Sequence, residues 1–191
     1  MKNLKLQIEN YIPFNDQEKA DKQSMLELLN LDNCLLRDNI FAHFSASAFV
    51  VNKDFSKALV VNHNILGGLI YPGGHADGEA NLFSVALREV EEETGLTVKP
   101  VLGNEIFAIH AAPILGHIKR GKYVSAHIHY DVVYLMQANT ADNDKLRIAE
   151  DENSEVKWID LDETYGDKAV PSLRFAQEKI INKLRSLNLA K

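Results

Sequence analysis

The chain has 191 residues, 46% of them hydrophobic, which fits one domain able to bury a core without disulfides or structural metal. Its 27 acidic and 21 basic residues leave a net charge of −6, which excludes general nucleic-acid binding because no positive surface is left over for phosphates. The same charge repels a phosphorylated small molecule unless a metal ion or a local basic cluster intervenes. The single cysteine, Cys34, excludes an intrachain disulfide and favours a reducing compartment. The opening MKNLKLQIENYIPF lacks a continuous apolar run, and no stretch approaches the ~18 apolar residues of a membrane span. A cytoplasmic protein with no membrane partner is expected.

In chain order, Asn15 with Glu18 three residues on reads as a helix start, and Met25, Leu26, Leu28 and Leu29 supply its apolar part. Leu31 to Asp38 is a candidate second short helix. Residues 1–40 therefore read as a helical cap, too short for a core of its own, on a body spanning 41–191. Phe44 to Val51 and Lys57 to Asn62 read as two strands around the polar turn Asn52 to Ser56, a hairpin pattern. A short strand, Leu69 to Tyr71, runs into Pro72-Gly73-Gly74 and a loop. A helix is expected from Leu82 to Thr94, with Asn81 as N-cap and Gly95 at C′. Val98 to Val101, Ile106 to Ala111, Tyr123 to Gln137 and Glu155 to Ile159 read as further strands. From Pro171 on, Leu173, Ala176, Ile180, Leu184 and Leu187 recur at spacings of three and four, an amphipathic helix with proline in its first turn. Strands on both sides of a central helix, with a terminal helix, imply an α/β sandwich whose strand order the pattern leaves open.

The central helix carries the chemistry. At about 100° per residue, Glu89, Glu92 and Glu93 fall within roughly a 100° arc, while Phe83, Ala86, Leu87, Val90 and Thr94 occupy a neighbouring arc that can face a core. Three carboxylates on one side repel one another, and near a helix C-terminus the dipole opposes them as well. Hard divalent cations remedy this, since Mg²⁺ takes carboxylate oxygens together with substrate phosphates. A solvated acidic face is the alternative reading.

The residues flanking this helix decide between the two. Gly74, five residues, Ala80, seven residues, and then Arg88-Glu89-Val90-x-Glu92-Glu93-x-Gly95-Leu96 resemble the Nudix box, G-x5-E-x7-R-E-U-x-E-E-x-G-U. Every specified position matches except the first glutamate, which is Ala80 here with Glu79 beside it. Ser154 to Trp158 resembles the family's late strand. The resemblance implies a Nudix-type α/β/α sandwich with a mixed sheet, a helical N-terminal extension, and a loop–helix–loop that binds metal and diphosphate.

By the same resemblance Glu89, Glu92 and Glu93 match metal-binding glutamates, and Arg88 an arginine that orients them. Gly73 matches a residue whose backbone carbonyl ligates metal, and Gly74 and Gly95 the structural glycines. The implied activity is metal-dependent hydrolysis of a diphosphate linkage, in a nucleoside diphosphate-X or related compound, with Mg²⁺ or Mn²⁺. A homodimer is expected on the same ground. The alternative is a non-catalytic nucleotide-binding module on the same fold, favoured only by Ala80. A third reading, isomerisation, lacks a catalytic cysteine–glutamate pairing, since Cys34 lies in the cap.

Glu92, Glu93 or Glu152, in the run Glu150-Asp151-Glu152, can take the proton of an attacking water. Glu152 is a candidate base or metal ligand, and its run otherwise reads as a solvated loop. His127, His129 and Asp131 alternate along a strand and so share one face, as metal or substrate contacts or as hydrogen-bonded polar groups. His75, directly after the glycines, is a candidate substrate contact, and His43, just before a strand, reads as structural. Lys119, Arg120 and Lys122 form a basic loop that reads as solvated, with substrate phosphate as its alternative partner. Trp158 reads as core or rim packing.

Overall fold

The computed structural model describes residues 1–139, 146–161, 165, 168–187 and 189. The chain opens with α1 (Lys2–Asn10), a helix without a cap signal in the sequence, which buries only Leu4 and Ile8, one turn apart. Helix α2 (Asp16–Leu28) starts where expected, the Asn15 side chain accepting from the Glu18 N–H at 2.9 Å. Leu31 to Asp38 is not a helix. It is a string of turns closed by bonds between residues three apart, such as Leu36 N–H to Asn33 O at 3.0 Å, in a stretch whose Asp and Asn residues favour local turns.

The strands follow: β1 (Ala42–Val51), β2 (Lys57–His63), β3 (Gly68–Ile70) and β4 (Gly73–His75), the last in a segment read as loop. Helix α3 (Leu82–Thr94) has the expected bounds, capped by Asn81 and ended by Gly95 at φ 73°, a backbone that a Cβ would oppose. Strands β5 (Val98–Pro100) and β6 (Ala108–Ile114) precede a separate hairpin, β7 (His117–Lys119) and β8 (Lys122–Val124). Arg120 and Gly121 both take positive φ at its turn, the geometry of a two-residue hairpin loop. The expected single strand from Tyr123 is thus two, because β8 pairs with β7 while β9 (His127–Ala138) joins the main sheet. Strand β10 (Asn153–Asp160), a 3-10 turn at Pro171–Leu173 and α4 (Arg174–Ser186) complete the chain.

The main sheet is mixed and runs β10-β2-β1-β9-β5, with β3 beside β2, β4 beside β1 and β6 beside β9. β1 and β9 are parallel, in register from Ala42↔Ile128 to Val51↔Gln137, and the other pairs are antiparallel. Strand alternation then sorts the side chains. Phe44, Ala46, Ala48 and Val50 of β1 and Val132, Tyr134 and Met136 of β9 pack with Val85, Ala86 and Val90 of α3, and with Leu4, Ile8, Met25 and Leu28 of the N-terminal helices. On the other face, Phe49, Val51, Val133 and Leu135 pack with Ile180, Ile181 and Leu184 of α4. Helices cover both faces of the sheet, an α/β fold. Trp158 packs, as expected, in the first cluster, and Cys34 is fully buried there.

The N-terminal helices also cover a sheet edge. Glu18 and Asp21 of α2 accept from the Ile109 and Ala111 N–H groups of β6 at 3.4 and 2.9 Å, so these two edge donors are taken within the chain. Glu18 is fully buried and meets Lys179 of α4 at 3.1 Å and the Tyr11 hydroxyl at 2.6 Å. Burial opposes its charge, yet Lys179, Tyr11, the Phe14 N–H and Lys183 together hold its carboxyl below the ordinary range.

Candidate active site

Beyond the ends of the second cluster, the same sheet face opens into a cavity of about 980 Å³ lined by β1, β4, β6, β9, α3 and the loops around them. On β1 and β9 the alternation that buries Phe49 and Val133 brings His43, Ser45, Ser47, His127, His129 and Asp131 to its wall.

One wall is acidic. Carboxylate oxygens of Glu89, Glu93 and Glu152 lie within 4.8 Å of one another, although Glu152 is remote in sequence. Glu93 is held at both oxygens: Oε1 accepts the Gly73 N–H at 3.0 Å and Oε2 accepts Asn153 Nδ2–H at 2.8 Å. Glu89 accepts from Arg88 Nη2 at 3.1 Å. A Cβ on Gly74 would lie 2.5 Å from the Glu89 carboxyl carbon and displace that carboxylate from its present position. Burial raises the pKa of Glu89 and pushes the Glu93 carboxyl up to about 8, against the Asn153 and Gly73 hydrogen bonds that favour its charge. A close set of hard oxygen donors, costly to ionise without a counter-charge, fits a divalent cation. Glu92 stands apart. Its side chain is 61% exposed and reaches Arg88 Nε at 3.8 Å, so it lines the cavity outside the three-carboxylate group.

The two carboxylates nearest the missing box glutamate in sequence are both engaged locally. Glu79 accepts the Asn81 N–H at 2.7 Å, bracing the helix start, and Asp77 is held by Arg37, whose Nε donates to Oδ1 at 2.6 Å. Ala80 itself packs half-buried against the first core cluster.

A second wall is histidine-rich. Ring nitrogens of His43, His75 and His129 lie within 4.8 Å of one another, and the ring centroids of these residues are 4.6 to 5.2 Å apart. His43 and His129 are register partners on parallel strands, and His75 reaches them from β4, whose Gly73 and Gly74 serve the acidic wall. His127 Nε2 stands 3.0 Å from His129 Nε2. Burial, then the neighbouring Arg37 and His43, bring His75 down to about 3, and burial with the other histidines takes His129 well below its ordinary value. Also in the cavity lining, buried Asp131 accepts from Ser45 and Ser47 at 2.9 Å each, and His110 Nε2 lies 3.1 Å from the Tyr71 hydroxyl.

The model of the NUDIX domain matches residues 42–184, three quarters of the chain. The chain belongs to the Nudix family. As a Nudix hydrolase it has pyrophosphate hydrolysis as its general reaction, and Nudix hydrolases use divalent metal ions. Over 133 residues this Nudix protein is 29% identical to a protein of Lactococcus lactis subsp. cremoris named as a probable DHNTP pyrophosphohydrolase, covering 69% of this chain and 75% of that one. The fold is shared with the MutT protein of Methanosarcina mazei (TM-score 0.52, 18% identity, 77% of this chain and 96% of that one). It is shared also with a NUDIX hydrolase of Nitrosomonas europaea (TM-score 0.51, 19% identity, 75% and 88%).

Of the residues singled out from sequence, Arg88, Glu89, Glu92, Glu93, Gly73, Glu152, His75, His127, His129 and Lys119 all line this one cavity. Sequence reading missed His43 as a cavity residue, although its alternation with Ser45 and Ser47 was a usable signal. It also missed Asn153 and Arg37, for which no pattern in the chain pointed to the site.

Proposed function

We propose that the chain cleaves a diphosphate linkage in a nucleoside diphosphate-X or related compound by water attack at phosphorus, with Mg²⁺ or Mn²⁺ held by Glu89, Glu93 and Glu152. The observation that carries this reading is the convergence of Glu152 with the two buried glutamates of α3. A bound divalent ion supplies neutralisation of the phosphate charge and a bound water of lowered pKa. The protein's own groups do the rest. Gly73 N–H and Asn153 fix Glu93, Arg88 fixes Glu89 while bridging toward Glu92, and the Gly73 carbonyl completes the ligand set that the family resemblance implies. Glu92, left outside the three-carboxylate group and facing solvent, accepts the proton of the attacking water. The apolar lining from Ile65, Leu66, Ile70 and Ile114 gives the organic part of the substrate a place beside its phosphates, and Lys119 offers a local positive charge.

The arrangement of a lone buried thiol and no membrane-length apolar helix among the described residues supports a cytoplasmic enzyme acting on small molecules as one domain with a helical cap. A homodimer is proposed with it, to be read by light scattering.

The test is phosphate release from a panel of diphosphate compounds, DHNTP included, with Mg²⁺ or Mn²⁺ and a coupled phosphatase that scores newly exposed phosphomonoesters. Metal-dependent turnover that Glu93→Gln abolishes is the expected result and names the substrate class. No turnover on any compound, with nucleotide binding retained, would replace this reading by that of a nucleotide-binding module.

A further inference from the structure

We propose that His43, His75 and His129 form a second metal site, for a transition-metal ion of the Zn²⁺ class, in the same cavity as the carboxylates. The donor chemistry separates the two sites. Carboxylate oxygens suit Mg²⁺ and Mn²⁺, whereas imidazole nitrogens suit Zn²⁺, Cu²⁺, Ni²⁺ and Fe²⁺. The three imidazoles come from three neighbouring strands, β1, β4 and β9, so their spacing is set by ladder register rather than by a loop.

The second observation is the state of His43. Its Nδ1 lies 3.1 Å from the Asn39 carbonyl oxygen, which accepts a hydrogen bond and so places the ring proton on Nδ1. That leaves Nε2 with an outward lone pair. Nε2 is buried and has no hydrogen-bond partner among the described residues. A buried acceptor without a partner is costly, and a metal ligand whose other ring nitrogen donates to a backbone carbonyl is the usual setting of a histidine site. His127 repeats the device one step out. Its Nδ1 donates to the Ser125 carbonyl at 2.8 Å, so its Nε2 faces His129 as an acceptor and fixes that ring. Three nitrogen ligands on the wall of an open cavity leave a fourth position toward it, where water or a substrate oxygen can bind.

The test uses the full chain without a histidine tag, stripped with chelator and dialysed against Co²⁺, which reports four-coordinate nitrogen sites by intense visible absorption. The Glu89→Gln/Glu93→Gln double variant is expected to retain about one Co²⁺ per chain with that absorption. His75→Asn and His129→Asn, folded by circular dichroism, are expected to lose Co²⁺ affinity by more than about 10-fold. Uptake that vanishes with the glutamates, or that survives both histidine substitutions, would overturn the proposal. Should either histidine variant fail to fold, ¹⁵N-imidazole NMR of the Glu89→Gln/Glu93→Gln variant, its histidines intact, decides. Zn²⁺ is expected to shift the resonances of these three rings, and unmoved resonances would also overturn it.

Discussion

The two walls of the cavity are built by opposite means from one short strand between them. On the acidic wall the ligating groups come from a helix and a distant loop, and they are tuned by neighbours: Gly73 and Asn153 hold Glu93, and the bare Cα of Gly74 makes room for Glu89. On the histidine wall the groups come from adjacent strands and are tuned mainly by one another and by backbone carbonyls. Burial acts on the two walls with opposite sign. It makes Glu93 reluctant to lose its proton and His129 reluctant to gain one, so each wall is short of a positive charge. A mixed-donor cavity of this kind can keep hard and borderline cations apart by ligand type alone.

Glu93→Gln cuts most deeply into this comparison. It removes an anionic ligand while preserving shape, and is expected to lower metal-dependent turnover by on the order of 10³-fold, several kcal/mol of transition-state stabilisation. Steady-state kinetics beside the Co²⁺ absorption of the histidine wall would read it, and equal loss of both signals would mean that the walls are not independent.

Next in size is Glu18→Ala, which touches neither wall. It leaves Lys179 buried without its carboxylate, for an expected loss of about 3–5 kcal/mol in urea unfolding. The pH dependence follows from the sign of the shift. Because the folded state holds Glu18 below its ordinary value, its contribution is present above about pH 4.5 and is lost as pH falls through the folded value. The native chain should therefore weaken in acid more steeply than Glu18→Gln does. Parallel acid limbs for the two proteins would remove Glu18 as the cause.

Asn153→Ala sharpens the comparison by withdrawing one donor from the acidic wall only. Mg²⁺ affinity is expected to fall by roughly 10- to 100-fold with little change at the histidines, as isothermal titration with each ion would report. Ala80→Glu should do least. With Asn81 and Glu79 already bracing the helix start, restoring the box residue is expected to change kcat/KM by less than about 3-fold, under 0.7 kcal/mol. A much larger gain would make the loop–helix junction the factor limiting this enzyme.

Legibility followed the range of the interactions. Helix α3 was readable to the residue because its signals are local: an apolar arc, an N-cap asparagine and a glycine at the left-handed end. Strand β4 was not, since Gly73-Gly74-His75 has no strand propensity and is extended only because β1 pairs with it. The turns at Leu31 to Asp38 are closed by bonds between residues three apart and never continue as a helix, and the split after Val124 arises because β8 pairs with the neighbouring β7 instead of the main sheet.

The sequence by itself determined the family, the acidic helix, the alternation that puts His127, His129 and Asp131 on one face, and that a phosphorylated ligand would need a metal ion or a local basic cluster against the charge of −6. Tertiary structure alone decided that Glu152 joins Glu89 and Glu93 while Glu92 stays at the rim, and that Glu79 and Asp77 are engaged elsewhere. It alone brought His43 to His75 and His129. The physical reason is that periodicity fixes the face on which a side chain lies. Ladder register and loop closure fix what stands opposite it, and both are made by residues far apart in the chain.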